Sequence, residues 1–171
     1  MFFFLSSAQY ITNQENTTKI KVHLRNGVAE ILNNHQDLLG LVENNLVEIE
    51  SNFENKVEKF SFIVQDAVFL VSNKGLDPKQ KGMAVYVYAK NAYELNSSLP
   101  VNDISKMYEK KKETLDILEQ KLLVEQAKQK DIKENERKKT KEEIKLSSDI
   151  LVLKSDVAFL KQTLTFAKQL K

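Results

Sequence analysis

The sequence predicts a β + α protein: an N-terminal antiparallel β-sandwich over residues 1–98, then a C-terminal antiparallel two-helix hairpin over residues 99–171. Three observations predict it. Up to residue 98, apolar residues recur mostly at every second position, the period of half-buried strands. Past Ser97-Ser98-Leu99-Pro100 the spacing changes to three and four, the period of helices. No Gly or Pro follows Pro100, whereas Asn, Gly and Pro punctuate the first part repeatedly.

The elements follow in order. Phe2-Phe3-Phe4-Leu5 is apolar over four residues and gives way at once to Ser6, Ser7 and Gln9. A secretory core needs roughly 7–15 apolar residues and a spanning helix about 20, so this is read as a first strand. Asn13 to Asn16 marks a turn. Ile20, Val22 and Leu24 alternate with Lys19, Lys21, His23 and Arg25, and Asn26-Gly27 turns the chain into Val28 to Leu32. A polar loop with one histidine, the apolar return Leu38-Leu39, a turn at Asn44-Asn45 and a strand through Leu46 to Ile49 come next. Ser51-Asn52 reads as a further turn. Phe60, Phe62 and Val64 alternate with Lys59, Ser61 and Ile63. Ala67 to Val71 and Ala84 to Ala89 are short apolar runs, separated by Asn73 to Gly82 with Gly75 and Pro78.

Val101-Asn102-Asp103 offers capping residues for the first helix. Ile104, Met107, Tyr108, Leu115, Leu118 and Leu122 fall on one of its faces. Leu146, Ile150, Leu153, Val157, Leu160, Leu164 and Ala167 form a heptad seam. Between the two lies the polar run 125–143. Thr140 and Glu143 stand at capping-box spacing, so a second helix starts there. The seams mirror each other about residue 137, with Ile104 opposite the neighbourhood of Leu170 and Leu122 opposite Leu151 to Leu153. A folded hairpin with a charged tip is therefore expected rather than one helix of about 65 residues. The heptad seam is expected to serve this pairing rather than an external partner helix.

Composition narrows the chemistry. There is no cysteine, which excludes disulfides, thiol nucleophiles and thiolate zinc sites. Net charge is +2, with a balance of −2 over residues 1–98 and +4 over 99–171. Lysine far outnumbers arginine (Arg25 and Arg137 are the two), a bias that points to an AT-rich genome. None of the four glycines forms a phosphate-binding Gly-x-x-x-x-Gly-Lys-Ser/Thr loop. His35 has Asp37 nearby but no nucleophile, and His23 lies on the polar face of its strand, so neither makes a catalytic or metal constellation. Lys128 to Lys145 carries eight basic and five acidic residues with no aromatic to stack a base, which fits a solvated helix tip better than a nucleic-acid site. No catalytic residue, cofactor or metal is expected.

Residues 27–49 carry a resemblance to a known family. Gly27, Ile31-Leu32, His35 and Leu38-Leu39, followed by Val47 and Ile49, are similar in order and type to the Gly-Glu-Leu-Gly-Ile-Leu-Pro-Gly-His-Ala-Pro-Leu-Leu signature of the epsilon subunit of F-type rotary ATPases. Weaker likeness covers Phe60 to Ala89, and the order of sandwich then hairpin agrees in kind. Glu30 stands where that family has glycine, Asn33-Asn34 replace Pro-Gly, and Asn45 replaces another glycine; asparagine tolerates left-handed backbone, so Asn34 and Asn45 are expected substitutes. The chain thus resembles a divergent member from an AT-rich bacterium such as a mollicute.

The resemblance implies a non-catalytic central-stalk subunit, cytoplasmic and peripheral to the inner face of the cell membrane. Its implied partners are a gamma-like shaft subunit, a ring of c subunits and catalytic alpha/beta-type subunits, with membrane contact only through the complex. It implies a stalk interface at Glu30, Asn34, His35, Gln36 and Asp37. A regulatory role at the basic tip, Lys128, Lys133, Arg137, Lys138 and Lys139, is implied in the same way. Some epsilon subunits bind ATP through Ile/Leu-Asp-x-x-Arg-Ala; Asn102 to Met107 lacks the arginine, so ATP sensing is not expected. The reading from another class is a coiled-coil adaptor with a β-sandwich head in an unrelated assembly.

Overall fold

The computed structural model describes residues 1–54, 56–74, 82–128 and 140–169. It divides into two compact units: Met1–Leu99 with the end of the last helix from Thr165, and Pro100–Leu164. The first unit is a β-sandwich. One sheet has five strands in the order β2 (Ile11–Gln14), β1 (Phe2–Ser6), β9 (Ala84–Tyr88), β8 (Ala67–Ser72) and β5 (Leu38–Val42). The other runs β10 (Asn91–Glu94), β7 (Lys56–Gln65), β6 (Asn45–Phe53), β3 (Thr17–Leu24) and β4 (Gly27–Leu32).

The period-two pattern decides which side chains meet between the sheets. Phe3 and Leu5, Val85 and Val87, and Phe69 and Val71 come from the first sheet; Ile20 and Val22, Val47 and Ile49, and Phe62 and Val64 come from the second. All are essentially inaccessible to water. Each such side chain contributes about 1.5–3 kcal/mol through burial. Phe3 and Phe62 stack across the gap with ring centroids 5.9 Å apart.

The antiparallel sandwich and helical hairpin stand as expected, with one parallel pair within the sandwich, β1 beside β9, pairing Phe2 with Ala84 through Ser6 with Tyr88. A parallel pair needs a long crossover, and the chain passes through the second sheet before β9 returns beside β1. Several local expectations are corrected. Ser51-Asn52 is not a turn. Both continue β6, and the chain reverses beyond Phe53, with Glu54 at φ 47°. The buried Ser51 hydroxyl is satisfied by Thr17 Oγ1 at 3.2 Å, so a polar residue there does not end the strand. Asn34 does take left-handed backbone (φ 70°), but Asn45 simply opens β6. Glu30 lies within the extended backbone of β4, where no glycine is required. Ile63, on the opposite side of β7 from Phe62 and Val64, is fully buried, with Leu46 and Tyr93 flanking it in the ladder.

The second unit is built from α1 (Val101–Ala127) and from α2 (Lys141–Gln169) as far as Leu164. Asn102 and Asp103 do not cap α1. Pro100 occupies the cap position, and its carbonyl accepts the N–H groups of Asp103 and Ile104 at 3.1 and 3.0 Å. Asp103 instead places a carboxylate in the first turn, where the helix dipole favours it. At the start of α2 the capping box forms in full. Glu143 N–H donates to Thr140 Oγ1 at 3.1 Å, and Thr140 N–H donates to Glu143 Oε2 at 2.9 Å.

The helices run antiparallel. Lys111 meets Asp156 at 2.6 Å and Glu119 meets Lys154 at 2.8 Å, while Lys128 feels the charge of Glu142, so partners on α2 descend as those on α1 ascend. Of the apolar stripes on these helices, Ile104, Leu115, Ile150 and Leu160 are buried, and so is Ala167 at the end of α2. Met107 is not: three residues from Ile104, it sits on the flank of the stripe and is exposed. The centre of that stripe, seven residues from Ile104, is Lys111. No helix among the described residues is long and apolar enough to cross a membrane.

Candidate docking surface

The two outward faces of the sandwich differ in chemistry. On the second sheet, cross-strand register sets Lys21 against Glu30 and Glu48, and Glu50 against Lys59. Ion pairs follow, Lys19–Glu30 at 3.3 Å, Lys21–Glu30 at 3.9 Å and Lys59–Glu50 at 3.3 Å, and His23 Nε2 hydrogen-bonds Glu48 Oε2 at 2.7 Å. Each such exposed pair is worth about 0–1 kcal/mol, so this ladder keeps the face soluble more than it holds the fold.

The β5 margin of the first sheet has no such ladder. Leu39 and Leu41 on β5 are 68% and 73% exposed, and Val68, paired with Leu41 on β8, is also exposed. On β4, the edge of the other sheet, Val28 and Leu32 are 54% and 49% exposed. Edge strands are ordinarily blunted by charge, Pro or shortness. β2 and β10 are four residues each and carry polar residues, and β4 carries Glu30. Leu38-Leu39-Gly40-Leu41-Val42 has no such guard. At the other rim Tyr10 closes the sandwich by donating its hydroxyl to Glu94 Oε2 at 2.7 Å. Burial first, and the Glu94 carboxylate second, push the Tyr10 phenol up to about 12.

Between β4 and β5, residues 33–37 form a short loop. His35 N–H donates to Leu32 carbonyl at 3.1 Å, closing a four-residue turn. Asn34 supplies the positive φ at its third position, where type II turns favour Gly or Asn. His35 Nδ1–H donates to the Gln36 carbonyl at 2.8 Å, which fixes the ring over the loop. Asp37 Oδ1 accepts from Asn73 N–H at 2.8 Å and from Asn73 Nδ2 at 3.0 Å, pinning the loop to the end of β8.

Asn34, His35, Gln36 and Asp37 therefore share one loop, while Glu30 belongs to the charge ladder. Asn34, His35 and Asp37 shape the loop, and the exposed apolar residues near it were not assigned to a site from the sequence: Leu39, Leu41 and Val68 on the first sheet, and Val28 and Leu32 beside Glu30 on the charged face of the second. The signal was present in Leu38 to Val42, five apolar or glycine residues without alternation. Of the basic tip, Lys128 hydrogen-bonds Glu125 at 2.8 Å, which raises its pKa above the ordinary lysine value. Lys133, Arg137, Lys138 and Lys139 lie outside the described residues. No group of three or more His, Asp or Glu suited to a metal ion occurs among the described residues.

No family model matches this chain, and no curated protein does. Among solved structures it is similar to a chain of the Euglena gracilis mitochondrial ATP synthase in its OSCP/F1/c-ring assembly. The likeness has 13% identity and a TM-score of 0.48, covering 95% of this chain and 79% of that one. It is also similar to a chain of the Tetrahymena thermophila mitochondrial ATP synthase central stalk and c-ring, at 11% identity and a TM-score of 0.44, covering 96% of each.

Proposed function

We propose that this chain is a non-catalytic, epsilon-like subunit of an F-type or F-type-derived rotary ATPase, docking by its β4–β5 margin onto a gamma-like shaft subunit. One observation carries the reading. The stretch whose sequence resembles the epsilon signature, Gly27 to Leu39, runs through β4 and its loop into β5, the strand that forms the unguarded apolar edge with Leu39 and Leu41 exposed. An apolar surface of this kind, next to a polar loop held in shape, has the make-up of an interface core and its rim.

In this reading the sandwich grips the foot of the shaft, and a c ring where one is present. The basic tip, with Lys128, Lys133, Arg137, Lys138 and Lys139, meets acidic segments of catalytic subunits. The assembly sits at the inner face of the cell membrane. An interface of this class buries on the order of 1,200–2,000 Å². The test is co-purification of the tagged full chain from its own cells. Recovery of gamma-like and catalytic subunits, lost in a Leu39→Glu/Leu41→Glu variant that still melts cooperatively, is the expected result. Recovery of the chain without any rotary subunit overturns the proposal.

A further inference from the structure

An open groove of about 590 Å³ runs between α1 and α2 toward the tip of the second unit. Ile117 and Val124 line it from α1 and Leu146 from α2. Ile117 and Val124 are 49% and 58% exposed, although isoleucine and valine ordinarily end inside. They stand seven residues apart, two helical turns or about 10.5 Å along one side of α1. Neither belongs to the Ile104–Leu115–Leu122 stripe, so the sequence places a second apolar track on this helix.

The walls of the groove are acidic. Glu113 and Asp116 stand at one end, and Glu125 and Glu142 at the other. Against these four carboxylates the lining holds two ammonium groups, Lys121 and Lys128, a local balance of −2. Lys128 is already held by Glu125 at 2.8 Å. A second copy of this chain would bring a like-charged wall against this one. A helix with an apolar stripe and basic flanks would meet both the floor and the walls with complementary chemistry.

We infer that this groove is a docking site for a basic amphipathic helix of another protein. Apolar anchors at i, i+3 or i+4, and i+7 fill the space over Ile117, Val124 and Leu146, and flanking Lys or Arg residues pair with Glu113, Asp116 and Glu142. Two turns of apolar spacing on α1 set the anchor interval, and the carboxylates select the sign of the flanks. The inference stands whether or not the sandwich serves a rotary machine, since it uses a different surface and a different unit.

The test uses the full chain and two fluorescein-labelled helical peptides, each about 18 residues long with leucine at the anchor positions. One carries Lys and Arg on its flanks, and the other carries Glu at the same places. Fluorescence anisotropy is expected to show saturable binding of the basic peptide, at least tenfold tighter than its acidic twin and weakening with salt. Ile117→Lys with Val124→Lys is expected to cost at least tenfold. Glu113→Gln with Asp116→Asn is expected to cost about threefold or more and to flatten the salt dependence. These side chains are exposed, so far-ultraviolet circular dichroism should not change, and the Glu113/Asp116 pair serves as a second readout should the lysine variant unfold. Absence of binding, equal binding of both peptides, or binding unaffected by these substitutions overturns the inference. So does sedimentation in which the Ile117/Val124 variant dissolves a dimer of the wild-type chain, which would make a second copy the occupant.

Discussion

Gly40 and Phe69 face each other across the β5–β8 ladder, and the phenyl ring lies over the glycine where a side chain would stand. A Cβ built on Gly40 would come within 2.2 Å of Phe69 Cε1 and 2.6 Å of Cζ. The ring is fully buried in the sandwich core, so it has little room to yield. The absence of a side chain on β5 is what lets Phe69 fill the core at this margin.

Gly40→Ala should therefore destabilise the sandwich by about 1–3 kcal/mol, the ordinary cost of overpacking a core. Because the clash is with one ring, Gly40→Ala combined with Phe69→Leu should lose less than the two single changes added together. Urea unfolding of the three variants measures both. Additive losses would show that Gly40 serves some other purpose.

Lys111 and Asp156 form a close ion pair between the two helices, at 2.6 Å, with the aspartate side chain only 11% exposed. Removing Asp156 leaves the Lys111 ammonium, 34% exposed, without this partner. Asp156→Ala should cost about 1–3 kcal/mol, the desolvation penalty of an orphaned polar group. Lys111→Met with Asp156→Leu should recover most of that loss, since an apolar pair of similar size commonly replaces a buried ion pair without penalty. Thermal melts of the single and double variants decide it, and a double variant less stable than Asp156→Ala would contradict the account.

The capping box at Thr140 and Glu143 fixes where α2 begins. Thr140→Ala should cost about 1 kcal/mol and Thr140→Ser almost nothing, because serine keeps the accepting oxygen. Chemical denaturation compares them. Equal loss in both variants would mean that the threonine methyl, not the cap, matters.

Tyr10 gives the sandwich an alkaline limit. Its phenol is raised in the folded state to about 12 from an unfolded value of 10.0, through burial and the Glu94 carboxylate. For a group raised in the folded state, the stabilisation is fully present below the unfolded value and is lost as pH climbs through the folded one. Stability should thus fall between pH 10 and about 12. Tyr10 is half-buried at the rim of the sandwich, so the contribution is expected to be about 1 kcal/mol or less after partial solvent screening. Tyr10→Phe should be less stable at neutral pH and lose less across that window, as denaturant midpoints taken at several pH values will show.

Alternation alone made most of the sandwich legible. Ile20, Val22, Phe60, Phe62 and Val64 could satisfy their period only as strands with a shared buried face, and they did. The change of period beyond Pro100 and the spacing of Thr140 and Glu143 marked two helices and the start of the second, because caps and stripes are local chemistry. Where a residue's fate depended on a distant partner, the sequence misled. Ser51 looked like a turn because its satisfaction comes from Thr17, thirty-four residues away. Lys111 broke the apolar stripe without looking like an element of it, because its partner lies on the other helix. The parallel pairing of β1 with β9 has no local signature either.

The candidate surface divides in the same way. Sequence determined the loop, since Asn34 tolerates the backbone its turn needs and Asp37 is an apt acceptor for the Asn73 amide. It also determined that the chain holds no thiol and no phosphate-binding glycine loop. Only tertiary structure decided that Leu38 to Val42 would be an edge rather than a central strand, and so whether its apolar side chains meet protein or water. The reason is physical: a period fixes which residues share a face, but what covers that face is set by strands and helices far away in the chain.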